Sequence, residues 1–243
     1  MPRILSYNVH RCVGVDRKLD VRRVAEVIAA ETPDIVALQE VDVGRSRTGG
    51  VDQAHALAGL LGMAFHFNAA LQVESELYGD AILTNLPHRL IKAGPLPGYP
   101  RIPQLEPRGA LWIGVDMGGA ELQILNTHLG LVPREQQIQA RALVGEEWLG
   151  AALRRDPLIL IGDFNAGRRT VVYRTLTGHL TDARRTFPDA RSTPTFPSTF
   201  PVVAIDHVFA SPGIAVTAVR VSSSPLARVA SDHLPLVIDF ELS

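Results

Sequence analysis

Cysteine is almost missing from this chain. Cys12 is the only one in 243 residues, so no disulfide framework can form within it and a reducing compartment is permitted. With no further nucleophile-type signature around it, Cys12 reads as an inert small residue. Net charge is missing too. The 24 Lys+Arg and 25 Asp+Glu leave a balance of -1, which creates no field to draw in nucleic acid non-specifically. This weakens the case for a DNA enzyme without excluding it. Lysine is confined to Lys18 and Lys92, so nearly every cation is arginine, the better bidentate phosphate ligand. So uniform a bias fits genome composition better than function. No apolar run reaches membrane-spanning length, and strand-like sequence begins at Arg3, which leaves no room for a signal peptide. The expectation is a soluble, cytoplasmic monomer without a transmembrane segment. No linker-like shift in composition interrupts the chain, so residues 1–243 are expected to form one domain. A hydrophobic content of 46% is ample for its core.

What the sequence does contain is a series of short apolar runs that end in polar residues. Leu158-Ile-Leu-Ile161, set between Asp156-Pro157 and Gly162, reads as a strand buried on both faces, and it ends in Asp163 and Asn165. Residues just past the carboxyl end of such a strand face the crevice where α/β proteins bind ligands. Ile4 to His10 is a second β-type run, carrying Asn8 and His10 at its far end. Asp20 then caps a helix with Val21, Val24, Ala25 and Ile28 on one face, and Ile35 to Leu38 follows as a strand ending in Gln39-Glu40. Strand, helix and strand within about forty residues is the pattern of a layered α/β fold.

Further along, Asp52 is placed to cap a helix that Gly62 ends, and Met63–Asn68 and Tyr78–Thr84 are apolar stretches. Gly94 to Pro107 is a proline- and glycine-rich surface loop, either a substrate lid or a connector. Arg101 and Glu106 are its only charges and Tyr99 its only aromatic. A strand from Gly109 to Met117 turns at Gly118-Gly119 into Glu121–Asn126, which leads to Thr127 and His128. Pro133 to Leu153 is expected to be helical, with Ile138, Ala142, Gly145 and Leu149 along one side and Arg134 and Glu135 near His128. A shorter helix is expected around Val171–Leu176. Thr-Phe-Pro recurs at Thr186, Thr195 and Thr199, too irregularly for a structural repeat. Asp206-His207 precedes Val208-Phe209, Ile214–Val221 reads as a strand, and Ser231-Asp232-His233 precedes a last strand, Leu236–Phe240.

Asn8, Glu40, His128, Asp163, Asn165, Asp206, Asp232 and His233 thus all sit where β-type runs end or begin. Each alone has an ordinary structural explanation. Their shared topological position points to a site. In order along the chain, Tyr7-Asn8, Leu38-Gln39-Glu40, Asn126-Thr127-His128, Gly162 to Asn165, Ile205-Asp206-His207 and Ser231-Asp232-His233 resemble the signature of the endonuclease/exonuclease/phosphatase superfamily. That superfamily includes DNase I, exonuclease III-type apurinic endonucleases, neutral sphingomyelinases and inositol polyphosphate 5-phosphatases. The resemblance spans Tyr7 to His233. It implies an α/β (α+β) fold: a four-layer α/β/β/α sandwich of two packed mixed sheets with helices outside and the active site at one rim.

The resemblance also implies roles. Glu40, with Asp232 and the amide of Asn8, would bind Mg²⁺, for which Mn²⁺ could substitute. Mg²⁺ prefers oxygen donors and keeps several waters, so one or two carboxylates suffice. Asp163 would take a proton from the attacking water, and Asn165 would orient that water or bind a phosphoryl oxygen. His233, buttressed by Asp206, matches the family's Asp–His pair, while His128 would touch phosphate or protonate the leaving group. Arg108 reads either as a phosphate contact or as half of a surface salt bridge. Tyr78, Asp80 and His10 either line the pocket or serve structure. The expected function is a Mg²⁺-dependent phosphohydrolase, foremost a phosphodiesterase. Its substrate would be a phosphodiester or phosphomonoester: a lipid headgroup, a small molecule or nucleic acid. The nearly uncharged loop 94–107 favours the first two. The alternatives are a DNA-directed nuclease of the same superfamily and a non-catalytic phosphate-binding scaffold.

Overall fold

Side chains along a strand alternate between its two faces, and along the central strands here both faces are apolar. Ile4, Ile35, Ile159 and Ile161 point into one core, while Leu5, Val36, Leu158 and Leu160 point away from it into two others. A strand apolar on both sides must be covered on both sides. The computed structural model describes residues 1–187 and 193–242, and in it this demand is met by four layers.

The strands, in chain order, are β1 (Arg3–Asn8), β2 (Ile35–Val43), β3 (Ala64–Val73), β4 (Glu76–Thr84), β5 (His88–Pro95), β6 (Gly109–Asp116), β7 (Glu121–His128), β8 (Leu158–Asp163), β9 (Thr181–Asp182), β10 (Asp206–Ala210), β11 (Ile214–Val221) and β12 (Leu236–Leu242). They form two six-stranded sheets, ordered β11-β12-β1-β2-β4-β3 and β5-β6-β7-β8-β10-β9. Each is mixed: β1–β2 and β7–β8 are parallel and the other pairings are antiparallel. The helices α1 (Val21–Ala30), α2 (Gln53–Leu61) and α6 (Ala227–Ala230) cover the outer face of the first sheet, while α3 (Pro133–Val144), α4 (Ala151–Leu153) and α5 (Val171–Thr177) cover that of the second. The expected four-layer sandwich is the observed one. No helix among the described residues is long and apolar enough to cross a membrane.

Local signals mostly hold. Asp20 and Asp52 accept the capping N–H of Arg23 and His55, and Gly62 closes α2 at φ +66°. Two differ. The helix expected over residues 133–153 breaks at Gly145, which is extended (φ −69°, ψ 171°), and resumes as a π-type turn, Glu146–Gly150, before α4. Glycine is a poor helix former, and the break drops Trp148 and Leu149 into the outer core. Strand β5 carries no clear apolar alternation because it is a half-exposed edge strand. Cys12 is fully buried, and burial pushes its thiol up, in keeping with an unreactive residue. Pro188, which closes the first Thr-Phe-Pro copy, lies outside the described residues.

Candidate active site

The parallel pairs explain how residues far apart in sequence converge. β1, β2, β7 and β8 bring their carboxyl ends to one rim, and the antiparallel β10 and β12 begin there, with Asp206 paired to Asp163 in register. Asn8 shows how close the two sheets come. Its Nδ2 donates to Asp163 Oδ2 across 155 residues of chain at 3.0 Å, and to Glu40 Oε1 at 3.0 Å.

Glu40 reaches the rim through an irregularity. The β2–β4 register shifts between Leu38 and Val41, and Glu40 stands at φ +59°, a conformation that costs a non-glycine residue roughly 1–3 kcal/mol. The bulge turns Gln39 inward, where Nε2 donates to Asn126 Oδ1 at 2.8 Å, and leaves Glu40 facing the cavity. Asn126 in turn donates to the carbonyls of Leu38 and Ala81, so two of the motif residues serve to tie the sheets together. Ser231 is likewise an anchor, its hydroxyl donating to Asn8 O at 2.7 Å.

Around this rim lies a cavity of about 380 Å³ whose wall includes Glu40, Arg108, His128, Asp163, Asn165, Asp232 and His233. Asn8 and Asp206, each 1% exposed, stand behind the wall and hold Asp163 and His233. His10 and Tyr78 also face the cavity, whereas Asp80 is buried beneath it, its carboxyl pushed up to about 8 by burial. Arg108 is no surface ion pair. It is buried, 3.0 Å from Glu106 and 3.1 Å from His128 Nδ1. The sequence reading missed Arg11, Glu106 and Phe196 on the wall. Phe196, whose ring lies 4.8 Å from that of His233, belongs to the second Thr-Phe-Pro copy, which was the one available signal. It also missed Arg184, a fully buried guanidinium without a hydrogen-bond partner among the described residues, whose charge helps to keep Asp206 ionised.

The two histidines end in opposite states. Arg108 Nη1 donates to His128 Nδ1, which assigns the ring proton to Nε2, 3.5 Å from Asp163 Oδ2. The 3.1 Å approach of Asn165 Nδ2 to Nε2 then joins two N–H groups and is a contact, not a bond. Burial, followed by the charges of Arg108 and His233, holds His128 well below the usual histidine range, so it is neutral. Burial also pulls on His233. There the hydrogen bond and charge of Asp206, at 3.0 Å, with Asp163 and Asp232, overcome it and raise the ring to about 10. Asp206 accepts from Thr195 Oγ1 as well, and its carboxyl lies below the ordinary range: His233 and these bonds outweigh the burial penalty. Asp163 is pushed up to about 7 by burial and then by Asp206, against the pull of His233.

Two places offer ligands to a cation. Asp163, Asp206 and His233 present ligand atoms within 4.8 Å of one another. A protonated imidazole cannot ligate, however, and Asp206 Oδ2 already accepts two bonds, so this group fits a proton better than a metal. Glu40 and Asp232 are partly open to the cavity and offer hard oxygen donors. This fits Mg²⁺, which keeps its own waters.

A model of the endonuclease/exonuclease/phosphatase family matches residues 5–233. The uncharacterized protein YbhP of Escherichia coli (strain K12) is 24% identical over 253 aligned residues, covering 99% of this chain and 96% of that protein. The crystal structure of an endonuclease/exonuclease/phosphatase from Beutenbergia cavernae DSM 12333 superposes with a TM-score of 0.83 at 28% identity, covering all of this chain and 72% of that one. The mannosyl-6-phosphatase Bt3783 of Bacteroides thetaiotaomicron VPI-5482 superposes at 0.75 with 18% identity and full coverage of both chains.

Proposed function

The chain belongs to the endonuclease/exonuclease/phosphatase family, whose members are hydrolases acting on phosphoester bonds, and on that premise we propose that it is a Mg²⁺-dependent phosphodiesterase. The observation that carries this reading is a single cavity walled by a high-lying carboxyl, Asp163, a charged imidazole, His233, and a neutral one, His128. Asp163 takes the proton of the attacking water, and Asn165, whose backbone N–H is bonded to Asp163 Oδ1 at 2.9 Å, orients the reacting group. His233, kept cationic by Asp206, stabilises charge building on the phosphoryl oxygens. His128 donates Nε2–H to the phosphate. A ring held neutral is a poor proton source, so this role suits it better than protonating the leaving group. Glu40 and Asp232, with Asn8 steadying Glu40, would hold the cation, which when bound neutralises phosphoryl charge. The chain is read as one domain, and since every group invoked lies in it the proposed reaction needs no second copy.

Hydrolysis of bis-p-nitrophenyl phosphate tests the reading. Turnover is expected with Mg²⁺ or Mn²⁺, loss of it with EDTA, and recovery when the metal is restored. Plasmid and abasic DNA should stay intact at the same enzyme concentration. Nicking of DNA without turnover of small phosphodiesters would move the assignment to a nuclease. Absence of both, with phosphate still bound, would favour a binding scaffold.

Arg108 supplies a second test. Its guanidinium faces the same cavity, and losing one charge-assisted contact made alike in ground and transition state raises KM with kcat less affected, by about ten-fold for Arg108→Met. An unchanged KM would remove Arg108 from the phosphate site.

A further inference from the structure

Helix α3 begins beside the catalytic cavity with a carboxylate that no role described so far employs. Glu135 is only 2% exposed, and burial raises its carboxyl. At the third position of the helix it could turn back to cap the N-terminal N–H groups, as acidic residues there often do. It makes no hydrogen bond of that kind, nor any other among the described residues. Arg108 is the one charge that acts on it noticeably, and Arg108 is already paired with Glu106. The carboxylate oxygens are not sealed off from water but open on a cavity, so the surroundings of that opening indicate what the group is for.

Glu135 lies in the wall of a second cavity, about 320 Å³, otherwise made by the proline-rich loop: Leu96, Tyr99, Ile102, Leu105 and Pro107 among others. Among the described residues lining it, Glu135 alone is charged. The two cavities share a partition. Glu106 and Arg108 face the catalytic side, while Leu105 and Pro107, alternating with them, face the other. Leu131, just before α3, faces the first, and Glu135, in its first turn, the second. Gln136 locks the arrangement by donating to both Gly130 O and Asn165 O at 2.9 Å. The carboxylate packs directly on Gly130, where a Cβ would lie 1.9 Å from Glu135 Oε2 and push the side chain aside.

We propose that this second cavity is a subsite for the organic group of the substrate, and that Glu135 selects a group bearing a protonated amine on a short apolar body. The inference rests on the phosphohydrolase reading and adds the substrate class to it. The apolar wall takes the body, and the carboxylate, short of donors, takes N–H groups. A quaternary ammonium, which has no N–H to give, satisfies it less well than a primary one. The same ammonium-bearing phosphate ester could come as a soluble molecule or as a phospholipid headgroup.

Binding can be measured apart from catalysis. Aminoethyl-, aminopropyl- and aminobutylphosphonate are titrated calorimetrically against their unsubstituted alkyl counterparts, with Mg²⁺ present. At least one amine is expected to bind about ten-fold more tightly than its alkyl partner, the size of one charge-assisted hydrogen bond, and Glu135→Gln should erase the difference while leaving the alkyl compounds unchanged. Equal affinity of amine and alkyl ligands for the wild-type protein, which needs no variant to fold, overturns the proposal. So does a preference that survives Glu135→Gln. Because phosphonates are not hydrolysed, the result is independent of the bis-p-nitrophenyl phosphate assay, and either reading can fail alone. Aminoalkyl phosphodiesters and phosphatidylethanolamine vesicles then distinguish the sources: Glu135-dependent turnover of the former alone marks a soluble substrate, and of the vesicles a lipid.

Discussion

Asp163→Asn is expected to lower kcat on bis-p-nitrophenyl phosphate by about 10²–10⁴-fold, the usual contribution of a positioned general base. The amide keeps the shape of the carboxylate but cannot take a proton. Only one of the two acceptors survives: turned one way the amide oxygen serves Asn165 N, at 2.9 Å, and its Nδ2 faces Asn8 Nδ2, at 3.0 Å, and turned the other way the two exchange. The fold should tolerate this. Asp163 is a carboxyl raised by burial, so the stability it contributes is complete only below the ordinary carboxylate range and is lost as pH rises through about 7. A neutral residue escapes that loss, and the thermal midpoint of the variant at pH 8 should not fall below that of the wild type. The wild-type rate should decline on the acid side of about 7, or lower where a bound cation stabilises the carboxylate. A rate within about three-fold of wild type, well under the smallest general-base effect, would transfer the role to another group.

His233→Ala is expected to act on both activity and stability. Removing one preorganised donor to a developing phosphoryl charge costs about 10²–10³-fold in kcat. The same change strands Asp206, 1% exposed and left with Thr195 as its donor, and breaking a buried ion pair from one side costs about 3–5 kcal/mol. The pH dependence carries a definite sign. His233 is raised to about 10, so its stabilisation is complete below its unfolded value near 6.5 and is lost as pH rises through about 10. Asp206 is depressed, so its share disappears as pH falls through the carboxylate range. Urea unfolding should therefore show the widest gap between wild type and variant in mildly acid solution, narrowing towards pH 10. A gap that widens with alkali would mean that the ring is neutral in the native protein.

Much of the site was legible because strands punctuate themselves. A buried run must end where its backbone meets solvent, and polar residues at those ends stand out against Val, Ile and Leu, as Asn8, Asp163 and His233 do. The order of the motifs carried the rest, and with it the four-layer fold. Arg108 was left between two readings because a single arginine before a strand has no pattern to interpret. Its burial beside His128 depends on a strand pairing that adjacent residues do not encode. Glu135 was visible as a charge near His128, but not as a carboxylate without donors, since the cavity around it is built by a loop some thirty residues earlier.

Local alternation of apolar and polar groups was enough for a layered α/β fold and for the polar residues at its strand ends, while the four layers and the shared rim followed from the resemblance carried by the ordered motifs. Only the tertiary structure decided what those residues are in charge and in company. His128 and His233 are the same side chain at the same rim, yet one is neutral and the other cationic. Arg108, twenty residues away, faces the first, and Asp206, twenty-seven away, faces the second. Desolvation and Coulomb interaction depend on distance in space, and folding sets that distance without regard to separation along the chain.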